Sequence, residues 1–144
     1  MSDLYLLASW TFMLIVIAFS WQAGDQADRR VIGGVFLLTL LSGIAYSFLA
    51  GRDVLLVVFC LDGLLLLIVV TYALKGDKFW PLWFASFHGV TFLFELVAFV
   101  APAEMRMILW RVGAFWFLPA YAAMAIGLTL DQRGRIAPRK RKVY

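Results

Sequence analysis

The chain has very few of the residues that hold metals and disulfides: one cysteine, one histidine, and a charged fraction of only 15%. The single Cys60 excludes an internal disulfide and a multi-cysteine metal cage, and we expect it to be a buried thiol that packs within an apolar run. The single His88 excludes bis-histidine haem ligation within one chain and supplies too little imidazole for a metal site. The sequence therefore predicts no metal centre.

Hydrophobic residues, in contrast, make up 64% of the chain, far above their share in soluble domains. They form five apolar runs near the ~20 residues that a helix needs to cross a bilayer, separated by charged or turn-forming segments. The runs cover residues 4–21, 31–50, 54–74, 79–100 and 107–130. We therefore expect a single all-α domain over residues 1–130, an integral membrane bundle of about five transmembrane helices.

Most basic residues fall on one side of such a five-span bundle, the side that also holds the C-terminal tail. Only Arg52 and Arg106 lie in the connections on the other side. The favoured side holds Arg29, Arg30, Lys75, Lys78, Arg133, Arg135, Arg139, Lys140, Arg141 and Lys142. Because basic residues accumulate on the cytoplasmic side of a membrane, the sequence predicts an outer N-terminus and a cytoplasmic C-terminus.

The segment 131–144, DQRGRIAPRKRKVY, is basic, polar and interrupted by proline. We expect it to be a flexible cytoplasmic tail. Its basic cluster is expected to contact anionic lipid headgroups rather than nucleic acid. The residues assigned to this headgroup contact are Arg139, Lys140, Arg141 and Lys142.

The fourth apolar run contains the segment FHGVTFLFELV, which carries His88, Thr91 and Glu95. Spacings of three, four and seven residues place these side chains on one helix face. An ionisable side chain at the centre of a membrane helix costs on the order of 2.5 kcal/mol or more. We therefore expect this face to look at protein or water rather than at lipid.

Polar residues of the neighbouring runs lie at comparable depths. Arg111 in the fifth run is nearly level with Glu95, so an ion pair across this hairpin is the simplest account of both charges. Asp62 of the third run lies within reach of His88 or Arg111. The sequence predicts a buried polar cluster, bordered by Tyr46 and Thr91, that comprises Asp62, His88, Glu95 and Arg111. Two carboxyl groups against one permanent cation leave one carboxyl, of Asp62 or Glu95, to hold a proton.

Several interpretations of this cluster stay open. It could be structural, fixing helix register or meeting a partner subunit. It could instead be a proton or ion relay in which Asp62 or Glu95 works with His88. Catalysis is a weaker alternative, because no serine or cysteine nucleophile lies beside His88 and Ser86 lies on another helix face. Among cofactors, a lipophilic ligand such as a quinone stays open, because its pockets need few polar groups.

Two prolines bear on helix geometry. Pro81 follows Asp77, a candidate N-cap, and fits the first turn of the fourth span, where its missing N–H is no loss. Pro119 lies inside the fifth run, where we expect it to kink the helix and free a backbone carbonyl.

The segment GDKFWPLWFASFHGVTFL resembles small multi-pass membrane proteins of alphaproteobacterial type. In these, Asp, a basic residue, an aromatic and Trp-Pro open an apolar span that later carries His or Gln and Thr. The matching positions are Asp77, Lys78, Phe79, Trp80, Pro81, Trp83, His88 and Thr91. The resemblance covers about one span and implies a bacterial inner-membrane location. It brings no activity and no set of functional residues.

The function expected first is a non-enzymatic accessory or assembly subunit of a larger inner-membrane complex, because the chain is small and its apolar runs leave no room for a soluble domain. The expected partners are membrane lipids and other membrane subunits or further copies of the chain, and not nucleic acid. The first alternative is a small homo-oligomeric proton-coupled transporter or channel that uses the Asp/Glu/His cluster. The second is a membrane enzyme or a binder of a lipophilic ligand.

Overall fold

The computed structural model describes residues 3–49 and 51–136 of the chain. Within these ranges the secondary structure is entirely helical, which confirms the all-α prediction. The helices are α1 (Asp3–Ala23), α2 (Gln26–Phe48), α3 (Gly51–Lys75), α4 (Trp80–Val100), α5 (Ala103–Phe115) and α6 (Phe117–Ile136).

Four stretches are long and apolar enough to cross a membrane. They are α2, α3, α4 and the stretch Glu104–Arg133 that α5 and α6 form together. The first helix contains a shorter apolar stretch, Leu7–Ala23. These lengths and compositions are those of a multi-pass membrane protein, and a further crossing by α1 stays a prediction.

A capping box starts α2 five residues before the predicted boundary at residue 31. The Asp25 carboxylate accepts hydrogen bonds from the backbone N–H groups of Ala27 and Asp28 at 3.0 and 2.9 Å, and Asp28 accepts one from the Asp25 N–H at 3.0 Å. These reciprocal bonds satisfy amides that have no partner in the first turn of a helix. Residues 26–30 are therefore helical, and their assignment to a connection was wrong.

The last apolar run is broken into two helices at Trp116, three residues before Pro119. Pro119 has no N–H with which to bond the Phe115 carbonyl, and its ring crowds that carbonyl. The chain turns more tightly here: the Trp116 N–H donates to the Gly113 carbonyl at 3.0 Å, and the Ala120 N–H donates to the Trp116 carbonyl at 3.2 Å. The helix is therefore interrupted just before Pro119, where the kink was predicted, and the bend itself stays a prediction.

The central helix of the bundle is α4, which packs on α3, α5 and α6. The first helix packs on α6 and α2, and α2 packs on α3, so that these helices close a ring around the core. Helix α5 lies outside this ring, because it packs on α4 and touches α6 only slightly. Gly127 lets α6 approach α4 closely: an added Cβ would overlap Trp80 Cβ and lie 2.8 Å from its Cα.

Three smaller predictions are wrong. Cys60 is exposed rather than buried. It lies on α3 two residues after the buried Val58, and two successive steps along a helix turn a side chain to the far side. Phe79 rather than Asp77 is the N-cap of α4, although Pro81 does lie in its first turn. The predicted flexible tail begins too early, since α6 continues to Ile136 before any proline occurs. The residues assigned to lipid headgroups lie outside the described residues: Arg139, Lys140, Arg141 and Lys142.

Candidate functional site

One face of α4 carries all of its buried polar side chains. His88, Thr91 and Glu95 are 5%, 6% and 8% exposed, and they follow the buried Phe84 and Ala85 at helical spacing. The opposite face of α4 points away from the bundle and is apolar except for Ser86, whose hydroxyl bonds the Leu82 carbonyl of the same helix. The prediction that these three residues share an inward face is therefore confirmed.

Five side chains from four helices form a group that we call the Glu95 cluster: Asp62, His88, Glu95, Tyr46 and Trp110. The Asp62 carboxyl and the Trp110 indole both face the Glu95 carboxyl and interact with it. Glu95 Oε2 has no partner of good hydrogen-bond geometry among the described residues. Asp62 itself is half-buried on α3.

His88 joins the cluster through the backbone of α3. Its Nε2 lies 3.3 Å from the carbonyl oxygen of Asp62. The imidazole ring also stacks on Phe84, with 5.6 Å between ring centres and 25° between ring planes. His88 is thus held between a polar group and an aromatic ring, and the tautomer of the imidazole decides whether Nε2 donates to that carbonyl.

Tyr46 and Trp110 close the cluster on the side of α2 and α5. Their rings stack, with centres 4.6 Å apart and planes 20° apart. Tyr46 is 49% exposed, so this border of the cluster reaches the surface of the bundle. Sequence analysis had placed Tyr46 correctly beside Asp62 and Glu95 but had not singled out Trp110.

Thr91 lies next to the cluster but bonds elsewhere. Its hydroxyl donates to the carbonyl of Gly113 at 3.2 Å and so joins α4 to α5. Gly113 is buried at this contact, where an added Cβ would lie 2.9 Å from Phe94 Cβ. Thr91 therefore links α4 to α5 and is not a member of the Glu95 cluster.

Arg111 does not belong to the cluster, and its predicted ion pair with Glu95 is wrong. The side chain is exposed, and among the residues that the structure describes it makes no ion pair with Glu95 or any other carboxylate. Successive residues of a helix point about 100° apart. Because Trp110 and Gly113 face α4, Arg111 points away from it.

A second polar cluster, which sequence analysis missed, lies at the other end of α4. We call it the Asp28 cluster: Asp25, Asp28, Tyr72, Lys78 and Trp80. Asp28 is 0% exposed. It accepts hydrogen bonds from the Tyr72 hydroxyl at 2.9 Å, the Trp80 indole N–H at 3.0 Å and the Lys78 ammonium at 2.8 Å. Lys78 also donates to Asp25 at 2.6 Å.

Lys78 supplies the positive charge of the Asp28 cluster. Burial by itself would lower the pKa of Lys78, because it disfavours the charged form. The hydrogen bonds to Asp25, Asp28 and Tyr72 outweigh burial and raise the pKa above its ordinary value. Lys78 is therefore a stable counterion for the two aspartates at every physiological pH.

Two signals in the sequence could have found this cluster. The spacing of Asp25 and Asp28 is that of a capping box, in which the first and fourth residues bond each other's backbone. The second signal is the basic and aromatic composition of the segment Asp77 to Pro81, because Lys78 and Trp80 of this segment both donate hydrogen bonds to Asp28. The pairing of these two segments depends on the packing of α2 and α4 against the helices between them, which brings the start of α2 close to the start of α4, and spacing alone does not show it.

Two cavities lie near α4. A cavity of about 10 Å³ is lined by Leu55, Glu95, Ala98, Phe99 and Trp110. An open groove of about 550 Å³ between α4 and α6 is lined by Trp83, Ser86, Phe87, Pro119, Ala122, Ala123 and Ile126. Over residues 3–49 and 51–136, no three His, Cys, Asp or Glu side chains come together as metal ligands.

Comparison with known proteins gives no match: no protein-family model, no curated protein and no solved structure is significantly similar to this chain.

Proposed function

We propose that the chain is a non-enzymatic accessory or assembly subunit of a larger membrane complex, and that it docks through α5. The observation that carries this proposal is the outward direction of Arg111. The side chain lies within the apolar stretch Glu104–Arg133, is exposed, and has no ion-pair partner in the described part of the chain. A charge in this position needs a partner outside the bundle.

The energetic argument is that a guanidinium facing lipid is unfavourable. Translocon-based scales assign about 2.5–3.5 kcal/mol to an arginine at the centre of a membrane helix. Arginines in spans therefore pair with carboxylates, backbone carbonyls or phosphates. A carboxylate on a membrane helix of another subunit would remove this cost and would give the contact a fixed register.

The rest of α5 has the composition of a docking surface. Helix α5 is covered mainly by α4, so most of its circumference is open. Large apolar side chains on either side of Arg111 are exposed: Met105, Met107, Ile108, Val112 and Phe115. Flexible methionines and aromatics around one arginine are typical of protein interfaces. We therefore propose that the occupant of this surface is a partner helix that carries one Asp or Glu.

The proposed location is a bacterial inner membrane, with the C-terminus in the cytoplasm. Support comes from the basic residues, which collect at one end of the bundle. Lys78 contacts Asp25 at this end, Arg29 Nε donates to the Trp21 carbonyl at 2.9 Å, and Gln132 near the end of α6 donates to the Ala23 carbonyl at 2.6 Å. By the positive-inside rule this end is the cytoplasmic one.

Native mass spectrometry of the protein, extracted from its own membrane in mild detergent, tests the proposal. The wild-type chain is expected to appear with other polypeptides at fixed stoichiometry, and Arg111→Met is expected to lose them. Arg30→Met is the matched control, because Arg30 is also an exposed arginine but lies at the start of α2. A wild-type chain that is always a lone protomer would contradict the proposal, as would an Arg111→Met variant that keeps its partners.

A further inference from the structure

We infer that Asp62 and Glu95 together bind one proton and exchange it with water through the small cavity beside Glu95. This inference is independent of the docking role of α5. It rests on an interaction between two acidic side chains, on a buried oxygen that lacks a partner among the described residues, and on a cavity close to one end of the bundle.

The first observation is the interaction between the two carboxyl groups. Asp62 on α3 faces Glu95 on α4, close enough for the two carboxyl groups to interact electrostatically. Two carboxylates that face each other in a site of low polarity cannot both be ionised, so that the pair shares a proton, as paired aspartates do in acid proteases. The predicted cation, Arg111, would have relieved this repulsion, but it points away from the pair.

The groups that face the pair from each neighbouring helix do not neutralise it. Helix α2 contributes the Tyr46 hydroxyl, α4 contributes His88, and α6 contributes Tyr121, which interacts with Asp62 and bonds Thr39 Oγ1 at 2.8 Å. Helix α5 contributes the Trp110 indole. The guanidinium of Arg52 lies over the Phe99 ring, 5.2 Å from its centre, and makes no ion pair with Asp62 or Glu95 among the described residues.

The second observation is the state of the Glu95 side chain. Glu95 is 8% exposed, yet its Oε2 has no partner of good hydrogen-bond geometry among the described residues. An oxygen that is buried without a partner costs roughly 1–3 kcal/mol, so such groups either bind water or have a functional role. Glu95 lines a cavity of about 10 Å³. This is about the smallest volume that holds one water molecule.

The third observation is the position of that cavity. Glu95 lies five residues before Val100, the last residue of α4, and Leu55 lies four residues after Gly51, the first residue of α3. At about 1.5 Å per residue, the cavity is within ~8 Å of the helix ends. Water therefore has a short route to Glu95 from this end of the bundle.

The route does not continue through the bundle. Beyond His88 and Asp62, toward the Asp28 cluster, the core is filled by Phe84, Leu65 and Met124, each at most 2% exposed. These side chains form an apolar layer that a proton does not cross without water. The site is therefore open to one side of the membrane only, which distinguishes a proton-binding site from a channel.

The exchange step is a simple acid–base reaction. The shared proton leaves a carboxyl oxygen, the O–H bond breaks with its electron pair kept by the carboxylate, and a new O–H bond forms on a water molecule to give hydronium. The return step reverses it. Protonation thus changes the charge of the pair by one at a fixed position inside the membrane.

Infrared spectroscopy of the full chain in lipid nanodiscs tests the inference. The wild type is expected to show a C=O stretch of a protonated carboxyl group, which disappears as the pH is raised. The band is expected to shift at once when water is replaced by D₂O, because the cavity is accessible. Glu95→Gln is expected to remove the band, whereas Asp62→Asn is expected to move its titration to lower pH, because Glu95 then no longer faces a second carboxylate. Glu104→Gln is the control that keeps the band, because Glu104 is exposed.

Three results would overturn the inference. Absence of the band at neutral pH, where exposed carboxyl groups are ionised, would mean that the pair holds no proton. A band that neither titrates nor shifts in D₂O would mean a locked structural proton without exchange. A band that disappears when sodium ions are added at constant pH would mean that the site binds a metal cation in place of a proton. In each variant, retention of the helical circular-dichroism spectrum shows that the bundle is still folded.

Discussion

Asp28 and Glu95 are both acidic side chains buried inside the bundle, 0% and 8% exposed, yet their surroundings differ completely. Asp28 receives hydrogen bonds from an ammonium, an indole and a phenol, all between 2.8 and 3.0 Å. Glu95 lies against a second carboxyl group and keeps one oxygen without a partner among the described residues.

The difference separates a structural site from a titrating one. A buried polar network that is fully satisfied rigidifies the fold, whereas a partly satisfied network stores unfavourable energy that a ligand or proton can release. The Asp28 cluster joins the first turn of α2 to the end of α3 and the start of α4, and therefore fixes three helices at one end. If Asp62 and Glu95 bind a proton as inferred above, the Glu95 cluster is the region where the charge changes.

The largest effect is expected from Asp28→Ala. The substitution removes the buried one of the two counterions of Lys78, together with the hydrogen bonds from Tyr72 and Trp80, and breaking a buried pair in this way costs about 3–5 kcal/mol. The measurement is the free energy of unfolding in mixed micelles titrated with a denaturing detergent. Asp53→Ala is the matched control, because Asp53 also lies in the first turn of a helix but is exposed. The Asp53→Ala variant is expected to lose less than about 1 kcal/mol of the free energy of unfolding. Equal losses for the two variants would refute the structural role of Asp28.

A smaller loss is expected from Gly127→Ala, which acts on the same cluster through Trp80. The added methyl group would overlap the Cβ of Trp80 and press on its backbone, and overpacking of this kind costs about 1–3 kcal/mol. Gly89→Ala is the control, because no heavy atom lies within 4 Å of the added Cβ and alanine favours the helix by up to about 1 kcal/mol. Thermal unfolding should therefore shift in opposite directions for the two variants.

The sequence was sufficient to predict those features of the structure that depend on local helix geometry. The inward face of α4 followed from the spacing of His88, Thr91 and Glu95, because helical periodicity alone decides which residues share a face. The break before Pro119 followed from the missing N–H of proline. Neither prediction needed any knowledge of how the helices pack.

Features that depend on the rotation of one helix against another could not be predicted. Counting residues put Arg111 at the depth of Glu95, but a shift of one residue turns a side chain by about 100°, and Trp110 faces Glu95 instead. The Asp28 cluster was missed because the charges of residues 25–30 indicated a connection. Their burial depends on Lys78 and Trp80, about fifty residues further along the chain.

The pH dependence of stability should separate the two clusters further. The folded state raises the pKa of Lys78, so its contribution is fully present below the ordinary lysine pKa and is lost only as the pH rises through the still higher folded value. The difference in unfolding free energy between the wild type and Lys78→Met should be constant at neutral pH and shrink only in strong alkali. Lys75→Met, which changes an exposed lysine, should show no such difference. A difference that vanished near neutral pH would mean that Lys78 is not the counterion.

The smallest effect is expected from Glu95→Gln, a change of charge in the other cluster. Because the Glu95–Asp62 pair already shares a proton, an amide of the same shape replaces a group that is formally neutral, and the free energy of unfolding should change by less than about 1 kcal/mol. Asp28→Asn is the matched substitution in the Asp28 cluster, where loss of the charge leaves Lys78 without its buried counterion and should cost more. Detergent unfolding at neutral pH compares the two directly. If Glu95→Gln were as costly as Asp28→Asn, Glu95 would be ionised and held by a cation, and both clusters would then be structural.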